Sequence, residues 1–382
     1  MLETTSPSEE APAVLALRTL EVRALRIGAS DIHIEPRPQG GLVRLRIDGL
    51  LRELQSIETA VFWPLVSRVK LLAGMDIADK RQPQDGRYTI DAGDRRVDAR
   101  VSSVPTIHGE KLVVRLLDAH VTSPGLEELG MHAATLTRYR RLIESPYGFL
   151  IVTGPTGSGK TTTLYSSLRH IADKTRSICT VEDPVEMYID GVTQVNVNVR
   201  AGLTFAVVLR AFLRQDPNVI MVGEMRDPET ASVAVAAALS GQLVVTTLHS
   251  NDAPGAIERL MELGLGRRAI AAAVFGIASQ RLVRRLCVSC RRRVLSATAP
   301  EYVAVGCGVC NGTGFCGRIG VFELLEFDDA VREEISSGAS AVSIRAVGKQ
   351  TGYEPLLTDG LAKVVDGQTT MQELRRVLTW ST

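Results

Sequence analysis

The sequence predicts an α/β protein in which a mostly parallel central sheet carries a phosphate-binding loop, preceded by a smaller α+β domain. Residues Gly154 to Thr161 read G-P-T-G-S-G-K-T, which fits the phosphate-loop pattern G-x-x-x-x-G-K-[ST] at every fixed position. The apolar run before the loop, 149–152, has the length of a buried parallel strand, and a helix is predicted over 162–172. Further along the chain, strand-like and helix-like segments alternate, as in doubly wound folds.

Each part of this loop has a chemical task. Its glycines let successive backbone N–H groups surround an anion at the N-terminus of the following helix. The Lys160 amine can reach the β- and γ-phosphates of a nucleotide, and the Thr161 hydroxyl can bind Mg²⁺. A glycine-rich turn that binds nothing is the alternative, and the complete pattern between a strand and a helix disfavours it. The predicted nucleotide-binding residues are Gly154, Pro155, Thr156, Gly157, Ser158, Gly159, Lys160, Thr161 and Thr162.

Composition excludes several classes of protein. The chain has 382 residues, 45% of them hydrophobic and 23% charged, which is typical of a globular protein with more than one domain. Its formal net charge of +1 gives no support for binding nucleic acid or an anionic membrane surface. The richest apolar run, 269–278, is too short for a membrane span, and the polar N-terminus does not resemble a secretory signal. We therefore expect a cytoplasmic protein with reduced cysteines.

The first part of the chain predicts a small α+β domain over residues 13–117. Residues 1–12 are expected to form a disordered tail. Helices are predicted at 14–27 and 57–73, and strands at 32–36, 42–49, 88–90, 95–101 and 111–117. A Pro-Gly connector, 118–130, is expected to lead into the second domain, 131–382, which opens with a helix at 132–144. The last part of this domain, 320–382, is expected to be helical.

Acidic residues follow two strands that are predicted after the phosphate loop. Strand 177–181 is followed by Glu182 and Glu186, either of which could orient and deprotonate an attacking water; an acidic turn is the alternative. Strand 218–222 precedes Glu224, where a phosphate-loop NTPase keeps the acid that holds Mg²⁺. His249, after strand 243–247, is a candidate γ-phosphate sensor or a structural histidine.

Five arginines are candidates for neutralising phosphate charge. Arg210 and Arg214 are spaced i, i+4 on a predicted helix, and Arg226 follows Glu224 closely. They could instead form salt bridges. Arg100 and Arg115 lie beside strand-like runs of the small domain, and on these features alone they are better described as solvated surface arginines.

Four cysteines have the spacing of a structural zinc site. Cys287 and Cys290 form one C-x₂-C pair, and Cys307 and Cys310 form a second one sixteen residues later. Four thiolates complete a tetrahedron without an open position, so the metal would be structural, and nearby arginines, among them Arg281 and Arg284, would partly offset its charge. Cys316 could compete as a ligand or remain a free thiol, whereas Cys179 is expected to be a small core residue.

From about residue 29 onward, the chain resembles the ATPases that drive type II secretion and type IV pilus assembly. The motifs that carry the resemblance are A-S-D-I-H-I-E-P (29–36), R-I-D-G (46–49), R-Q-P-Q-D-G-R (81–87), P-T-x-x-G-E-K (105–111), the phosphate loop, T-V-E-D-P-V-E (180–186), L-R-Q-D-P-N-V-I-M-V-G-E-M-R-D (213–227), T-T-L-H-S-N-D-A (246–253), the four cysteines and N-G-T-G-F-C-G-R-I-G-V-F-E-L-L (311–325).

The resemblance implies a homohexameric ring of RecA-like domains that hydrolyses ATP with Mg²⁺ and carries a structural Zn²⁺. It gives Glu182 the role of the catalytic glutamate, with Glu186 as second choice, makes Glu224 the Walker B acid and makes His249 the histidine of the family's His box. It also reverses the assignment of Arg100 and Arg115, which resemble arginines that the small domain brings to ATP. Arg210, Arg214 and Arg226 resemble the arginines of the ATPase domain.

Partners also follow from the resemblance: a platform protein of the inner membrane and a cytoplasmic docking protein, with only indirect membrane association. The chain departs from the family's pattern at Gln242, where the His box usually starts with histidine, at Asn218, where aspartate is usual, and at Cys316, where a basic residue is common. Only about 28 residues precede the match, so we expect the additional N-terminal docking domain to be lacking.

Three alternatives remain. One is a pilus-assembly or DNA-uptake motor of the same family, and another is a nucleotide-binding scaffold that hydrolyses nothing. The third, a nucleic-acid translocase, is disfavoured by the neutral net charge and by the absence of a basic stretch rich in aromatic residues. Retraction ATPases of pili are less favoured, because that branch typically lacks the four cysteines.

Overall fold

A computed structural model describes residues 11–93, 95–117, 123–295 and 300–378. The chain divides into two compact units, one up to Thr122 and one from Ser123 onward. Most of the expected tail, 1–10, and the first part of the expected connector, 118–122, lie outside the described residues.

The first unit is an antiparallel sheet with one face covered by two helices. Its elements are α1 (Pro12–Arg26), β1 (Asp31–Arg37), β2 (Gly40–Ile47), β3 (Leu50–Ile57), α2 (Thr59–Leu72), β4 (Gln84–Asp91), β5 (Arg96–Thr106) and β6 (Gly109–Leu117). The strand order is β3-β2-β1-β6-β5-β4. Alternate residues of the strands, such as Ile32, Ile34 and Val114, are buried in one core together with Leu20 of α1 and Phe62 of α2. The opposite face of the sheet carries the polar side chains.

The predicted C-terminal end of one strand of this unit, 42–49, is wrong. β2 stops at Ile47, and Asp48 and Gly49 have φ values of 49° and 84°. Two consecutive left-handed residues form the tight turn that an Asp-Gly pair favours, so the chain reverses here and returns as β3. The prediction missed β3 because it ran the strand through the turn.

The second unit contains the phosphate loop and begins before the predicted boundary at 131. Its elements are a 3₁₀ turn (Leu126–Glu128), α3 (Ala133–Ile143), β7 (Gly148–Thr153), α4 (Lys160–Ile171), β8 (Ile178–Glu182), β9 (Val192–Asn196), a second 3₁₀ turn (Val199–Ala201), α5 (Phe205–Phe212), β10 (Val219–Val222), α6 (Pro228–Leu239), β11 (Leu243–Leu248), α7 (Ala253–Glu262), α8 (Arg267–Ala273), β12 (Val274–Leu286), β13 (Arg292–Leu295), β14 (Pro300–Val303), β15 (Phe315–Glu326), α9 (Asp329–Ser337), α10 (Ala341–Gln350), α11 (Leu356–Val365) and α12 (Met371–Val377).

The main sheet of this unit has the strand order β15-β12-β7-β11-β10-β8-β9. All neighbours are parallel except β15, which runs antiparallel to β12. The two faces of the sheet are covered by separate apolar cores, one built around Phe149 and Ile220 and the other around Leu150 and Met221. The predicted α/β fold with a mostly parallel sheet is confirmed. The parallel order also brings the ends of β7, β8, β10 and β11 to one edge.

Two boundaries need correction. The expected connector is not a linker over 123–130, because Leu126 and Leu129 are buried in the core of the second unit. The region expected to be helical from 320 to the C-terminus begins with a strand, since β15 continues to Glu326 and its residues 321–325 are buried beside β12. Among the described residues, no helix combines the length and apolar character that crossing a bilayer requires.

Candidate active site and cysteine cluster

The phosphate loop connects β7 to α4 and is built for close approach of a ligand to its backbone. Gly154, Gly157 and Gly159 have φ values of 153°, 78° and 89°. A Cβ atom on Gly154 would come within 2.5 Å of both the Gln280 carbonyl oxygen and the Ser158 hydroxyl. Side chains at these positions would be strained or would clash, so the loop depends on its glycines. Its backbone N–H groups lie at the start of α4, where an anion is favoured.

Gln280 supports this loop from the neighbouring strand β12. Its side-chain oxygen accepts a hydrogen bond of 2.7 Å from Thr163 on α4, and its side-chain nitrogen lies 2.8 Å from where a Cβ on Gly159 would be. The side chain is buried. Gln280 thus fixes the first turn of α4 to the sheet. Sequence analysis missed this role of Gln280, because the phosphate-loop pattern does not extend to the adjacent strand.

Lys160 is folded back onto the loop. Its amine donates hydrogen bonds to the carbonyl oxygens of Gly154, at 2.8 Å, and Pro155, at 3.0 Å. Burial lowers the pKa of Lys160 to about 8; Arg281 acts in the same direction, and Glu224 opposes them. A bound phosphate would favour the charged amine and so raise this pKa again.

We expect the affinity for ATP to fall as the pH rises through about 8, the pKa of Lys160. Below this pH the amine is charged before ATP binds, and above it the amine must take up a proton when ATP binds. Above pH 8 the dissociation constant for ATP should therefore rise by up to about tenfold per pH unit. Binding of a fluorescent ATP analogue over a pH series measures this slope. Lys160→Arg, which keeps its charge throughout, should give weaker binding but a flat profile. Equal slopes in the two proteins would contradict the assignment.

Glu224 and His249 lie beside Lys160 at the same edge of the sheet. Glu224 forms an ion pair of 2.5 Å with Arg226, and His249 Nε2 lies 3.9 Å from the other Glu224 oxygen. The pKa of His249 is lowered, first by burial and then by Lys160, whereas Glu224 opposes the shift. The His249 loop is attached to the end of β7, because the Ser250 backbone N–H donates to the Thr153 hydroxyl at 3.0 Å. Lys160, Glu224, Arg226 and His249 therefore form one group.

Glu182 occupies a separate, buried position at the end of β8. Its side chain accepts hydrogen bonds from Tyr165, from Thr180 at 2.5 Å and from Gln194 at 3.2 Å. Tyr165 lies on α4, and its hydroxyl also accepts a bond of 3.0 Å from the backbone N–H of Glu186. Burial and the neighbouring Glu182 raise the pKa of Tyr165, so its hydroxyl stays protonated. Tyr165 thus holds the segment 182–186 against the helix that follows the phosphate loop, a link that sequence reasoning missed.

Tyr165→Phe should lower kcat for ATP hydrolysis about tenfold, because Glu182 and the Glu186 N–H lose a shared partner. The free energy of unfolding should fall by about 1–3 kcal/mol. Tyr139→Phe is the matched control: its hydroxyl is also buried and bonds to Ser167 of the same helix at 2.8 Å, but it does not contact Glu182 or Glu186. The control should lose similar stability and keep its kcat within about twofold. Steady-state kinetics and thermal unfolding distinguish the two, and equal kcat values would contradict the positioning role.

The four predicted metal-binding cysteines are brought together. The sulfur atoms of Cys287, Cys290, Cys307 and Cys310 all lie within 4.8 Å of one another. Three pairs are 3.8–3.9 Å apart. Zinc–sulfur bonds of about 2.3 Å in a tetrahedron require sulfur separations of roughly 3.8 Å, so the cluster fits a Cys₄ zinc site. Backbone N–H groups of Cys307 and Gly314 donate to the Cys310 sulfur at 3.1 Å, which stabilises a thiolate.

The remaining cysteines and nearby arginines have other surroundings. Cys316 is exposed, with its sulfur 4.0 Å from the Val309 carbonyl oxygen, and Cys179 is buried in the core as expected. Arg281 and Arg284 were expected to offset the charge of the cysteines, but their recorded partners are different. Arg281 donates to the Asn251 carbonyl oxygen at 2.8 Å, and Arg284 pairs with Glu373 at 2.8 Å.

The model of the family "Type II/IV secretion system protein" matches residues 8–376. The chain belongs to this family. Among its relatives, the type II secretion system protein HxcR of Pseudomonas aeruginosa is 46% identical over 367 residues, covering 96% of this chain and 77% of HxcR. The type IV pilus assembly ATPase PilB of Thermus thermophilus is 46% identical over 389 residues, covering 97% of this chain and 44% of PilB. The solved structure of the ATPase DotB from Legionella pneumophila has the same fold, with a TM-score of 0.72, 21% identity and 97% of each chain covered.

Membership confirms the predicted family and makes the chain an ATP-hydrolysing enzyme of the secretion and pilus ATPases. Gln242 is the residue at which the chain departs from the family's His box. It precedes β11, whereas His249 follows that strand. Gln242 therefore lies at the opposite end of the strand from the phosphate loop. The departure leaves the group around Lys160 intact.

The candidate arginines of the chain have different surroundings. Arg226 joins Glu224, as described, but α5 ends at Phe212, so Arg214 lies beyond the helix that was predicted to carry both it and Arg210. Arg210 pairs with Glu229 at 2.8 Å, and Arg214 donates to the Arg210 carbonyl oxygen at 2.9 Å. In the first unit, Arg100 and Arg115 are directly paired on β5 and β6, and Arg115 forms an ion pair of 3.1 Å with Asp31.

Proposed function

We propose that this chain is the ATPase motor of a type II secretion system, in which ATP hydrolysis drives assembly of a pilus-like fibre. The observation that supports the proposal most strongly is the phosphate loop with Lys160, Glu224 and His249 grouped at one sheet edge, in a chain that belongs to this family. The similarity to HxcR favours secretion, and that to PilB keeps pilus assembly or DNA uptake as the alternative.

In the proposed reaction, backbone N–H groups of the phosphate loop and Lys160 bind the β- and γ-phosphates of ATP. Thr161 and Glu224 would hold Mg²⁺, whose chemistry is to neutralise charge on the phosphates. Glu182 orients the attacking water and accepts its proton. Its Oε2 atom accepts a hydrogen bond from Tyr165, and a carboxylate oxygen has a second lone pair for the water. Glu186 is the second candidate for this role.

Arginines would complete the charge balance around the γ-phosphate. Arg210, Arg214 and Arg226 are the candidates from the second unit, and Arg100 and Arg115 from the first. We propose that the last two reach ATP when the small unit closes, which would couple hydrolysis to motion of that unit. Arginines supplied in this way are worth about 10³–10⁵ in rate in other phosphoryl-transfer enzymes.

We further propose a homohexameric ring, cytoplasmic and attached to the inner membrane through a platform protein and a cytoplasmic docking protein. The four cysteines would hold a structural Zn²⁺, which stabilises the segment between β12 and β15. Binding of nucleic acid is not part of the proposal, because the formal net charge of the chain is only +1.

Replacing the chromosomal gene of the source organism by one that encodes Lys160→Ala tests the pathway. We expect the proteins exported by type II secretion to stay in the cell, while surface pili and DNA uptake are unchanged. Arg23→Ala, an exposed change on α1, serves as the control and should export normally. Normal export with loss of pili or of DNA uptake would show that the chain is the motor of pilus assembly or of DNA uptake. Normal export, pili and uptake would overturn the proposal.

A further inference from the structure

A row of charged side chains crosses the sheet of the first unit. The strand register places Arg46 opposite Asp31, Asp31 opposite Arg115, Arg115 opposite Arg100, and Arg100 opposite Arg87. Directly opposed residues of neighbouring strands project to the same face of a sheet. Four arginines and one aspartate thus form a line across five of the six strands.

This row lies on the face opposite to the helices. The residues that flank Arg100 along β5, Ala99 and Val101, are fully or almost fully buried in the core under α1 and α2. Arg87, Arg100 and Arg115 are exposed. Their guanidinium groups are therefore accessible to a ligand from one side of the unit.

The row has more positive than negative charge. Asp31 forms ion pairs with two arginines, Arg115 at 3.1 Å and Arg46 at 3.6 Å. In the part of the chain that the structure describes, no ion pair is recorded for Arg87 or Arg100. Like charges directly opposite each other destabilise a sheet, and solvated surface arginines have no need to be placed so. An arrangement that costs stability is expected where a ligand of opposite charge binds.

The same face also holds a buried histidine, whose Nδ1 lies 4.0 Å from a Glu35 carboxylate oxygen. His33 lies two residues after Asp31 on β1 and is only 8% exposed. Neither of its ring nitrogens has a hydrogen-bond partner among the described residues. Burial, Lys111 and Arg46 lower the pKa of His33, so its neutral ring offers one donor and one acceptor. Buried polar atoms without partners are rare in folded proteins and call for a ligand or water.

We propose that Arg87 contacts the phosphate groups of the bound nucleotide together with Arg100 and Arg115, and that Asp31 holds Arg115 in place when no nucleotide is bound. The inference rests on the proposed role of Arg100 and Arg115 and adds a third phosphate-binding arginine from the first unit. Arg87 is the last residue of the motif R-Q-P-Q-D-G-R (81–87). Three adjacent guanidinium groups match the spread negative charge of a triphosphate, which each can contact through paired N–H groups.

The test measures ATP hydrolysis and thermal unfolding of the full chain. Arg87→Ala should lower kcat by about 10- to 100-fold, the range expected for losing one charged hydrogen bond. Arg87→Lys should recover only part of the rate, because lysine keeps the charge and loses the planar fork. The control Arg23→Ala, an exposed arginine on the helix that covers the other face, should stay within about twofold. Without nucleotide, Arg87→Ala should unfold at the same or a higher temperature than the parent, because a like-charge pair is removed.

A second measurement uses inorganic tripolyphosphate, which should raise the unfolding temperature of Arg87→Ala less than that of the parent or of Arg23→Ala.

The variants Arg100→Ala and Arg115→Ala distinguish a failure of this inference from a failure of the proposed function. If both lower kcat and Arg87→Ala does not, the inference is overturned and the proposed function stands. If none of the three lowers kcat while Lys160→Ala does, the role of the whole row is overturned. A loss of kcat in Arg87→Ala that comes with a lower unfolding temperature and an unchanged response to tripolyphosphate would show a structural role, and would also overturn the inference.

Discussion

Glu182→Gln is expected to lower kcat for ATP hydrolysis by about 10³-fold, within the range for losing a general base. The amide cannot accept the proton of the attacking water, yet it has the size of the carboxylate. It can still bond to Tyr165 and Thr180, whose hydroxyls can donate or accept. Binding of ATP should therefore remain within a few-fold of the parent protein. Single-turnover hydrolysis and binding of a fluorescent ATP analogue measure the two effects separately.

Glu186→Gln is the matched control, because it makes the same chemical change four residues away. We expect it to keep most of the activity. If Glu186→Gln loses turnover and Glu182→Gln does not, the general base is Glu186 and the role of Glu182 is to hold Tyr165. If neither change lowers a turnover that depends on Lys160, no glutamate of this segment acts as the base.

Cys287→Ser is expected to reduce bound zinc from one ion per chain to almost none. A serine hydroxyl is a poor zinc ligand at neutral pH, and three thiolates leave the tetrahedron open. Structural zinc sites contribute on the order of 10 kcal/mol to local folding, so residues 287–316 should become susceptible to protease. Zinc content by elemental analysis and limited proteolysis are the measurements.

Two comparisons make this zinc prediction specific. Cys316→Ser removes an exposed thiol outside the group of four and should retain zinc. ATP binding should survive in both variants, because the phosphate loop is held by β7, β12 and Gln280. One zinc per chain in Cys287→Ser would contradict the proposed ligand set, and loss of zinc in Cys316→Ser would add a fifth cysteine to it.

The sheet edge that carries the phosphate loop could be predicted from the sequence, because short sequence patterns determine its strands and its loop. A short apolar run indicates a buried strand, and the residues after parallel strands meet at one edge of the sheet. This rule predicts that Glu224 and His249 lie near Lys160. The cysteine cluster was predictable for a similar reason, since two C-x₂-C pairs at this spacing indicate a four-cysteine metal site.

What the sequence did not reveal depends on contacts between distant segments. Gln280 is 117 residues from its partner Thr163, and neither position has a motif. Arg87 acquires its neighbours only through strand register, which hydrophobic alternation leaves undefined until the turns are known. The Asp48-Gly49 turn was readable in principle, because Asp-Gly between apolar runs is a strong hairpin signal. Arg214 was misplaced because the end of α5 could not be read within two residues.

We infer that the group around Lys160 hydrolyses ATP. The most direct measurement is phosphate release from ATP and Mg²⁺ by the purified full chain beside Lys160→Ala, with binding of an ATP analogue measured in both. We expect steady turnover by the parent protein and a loss of at least about 10²-fold in Lys160→Ala, as for removing a charge aimed at the transferring phosphate. Tight ATP binding by the parent protein with no phosphate release, in the assembled ring as well as in the single chain, would contradict the claim and leave a nucleotide-binding scaffold.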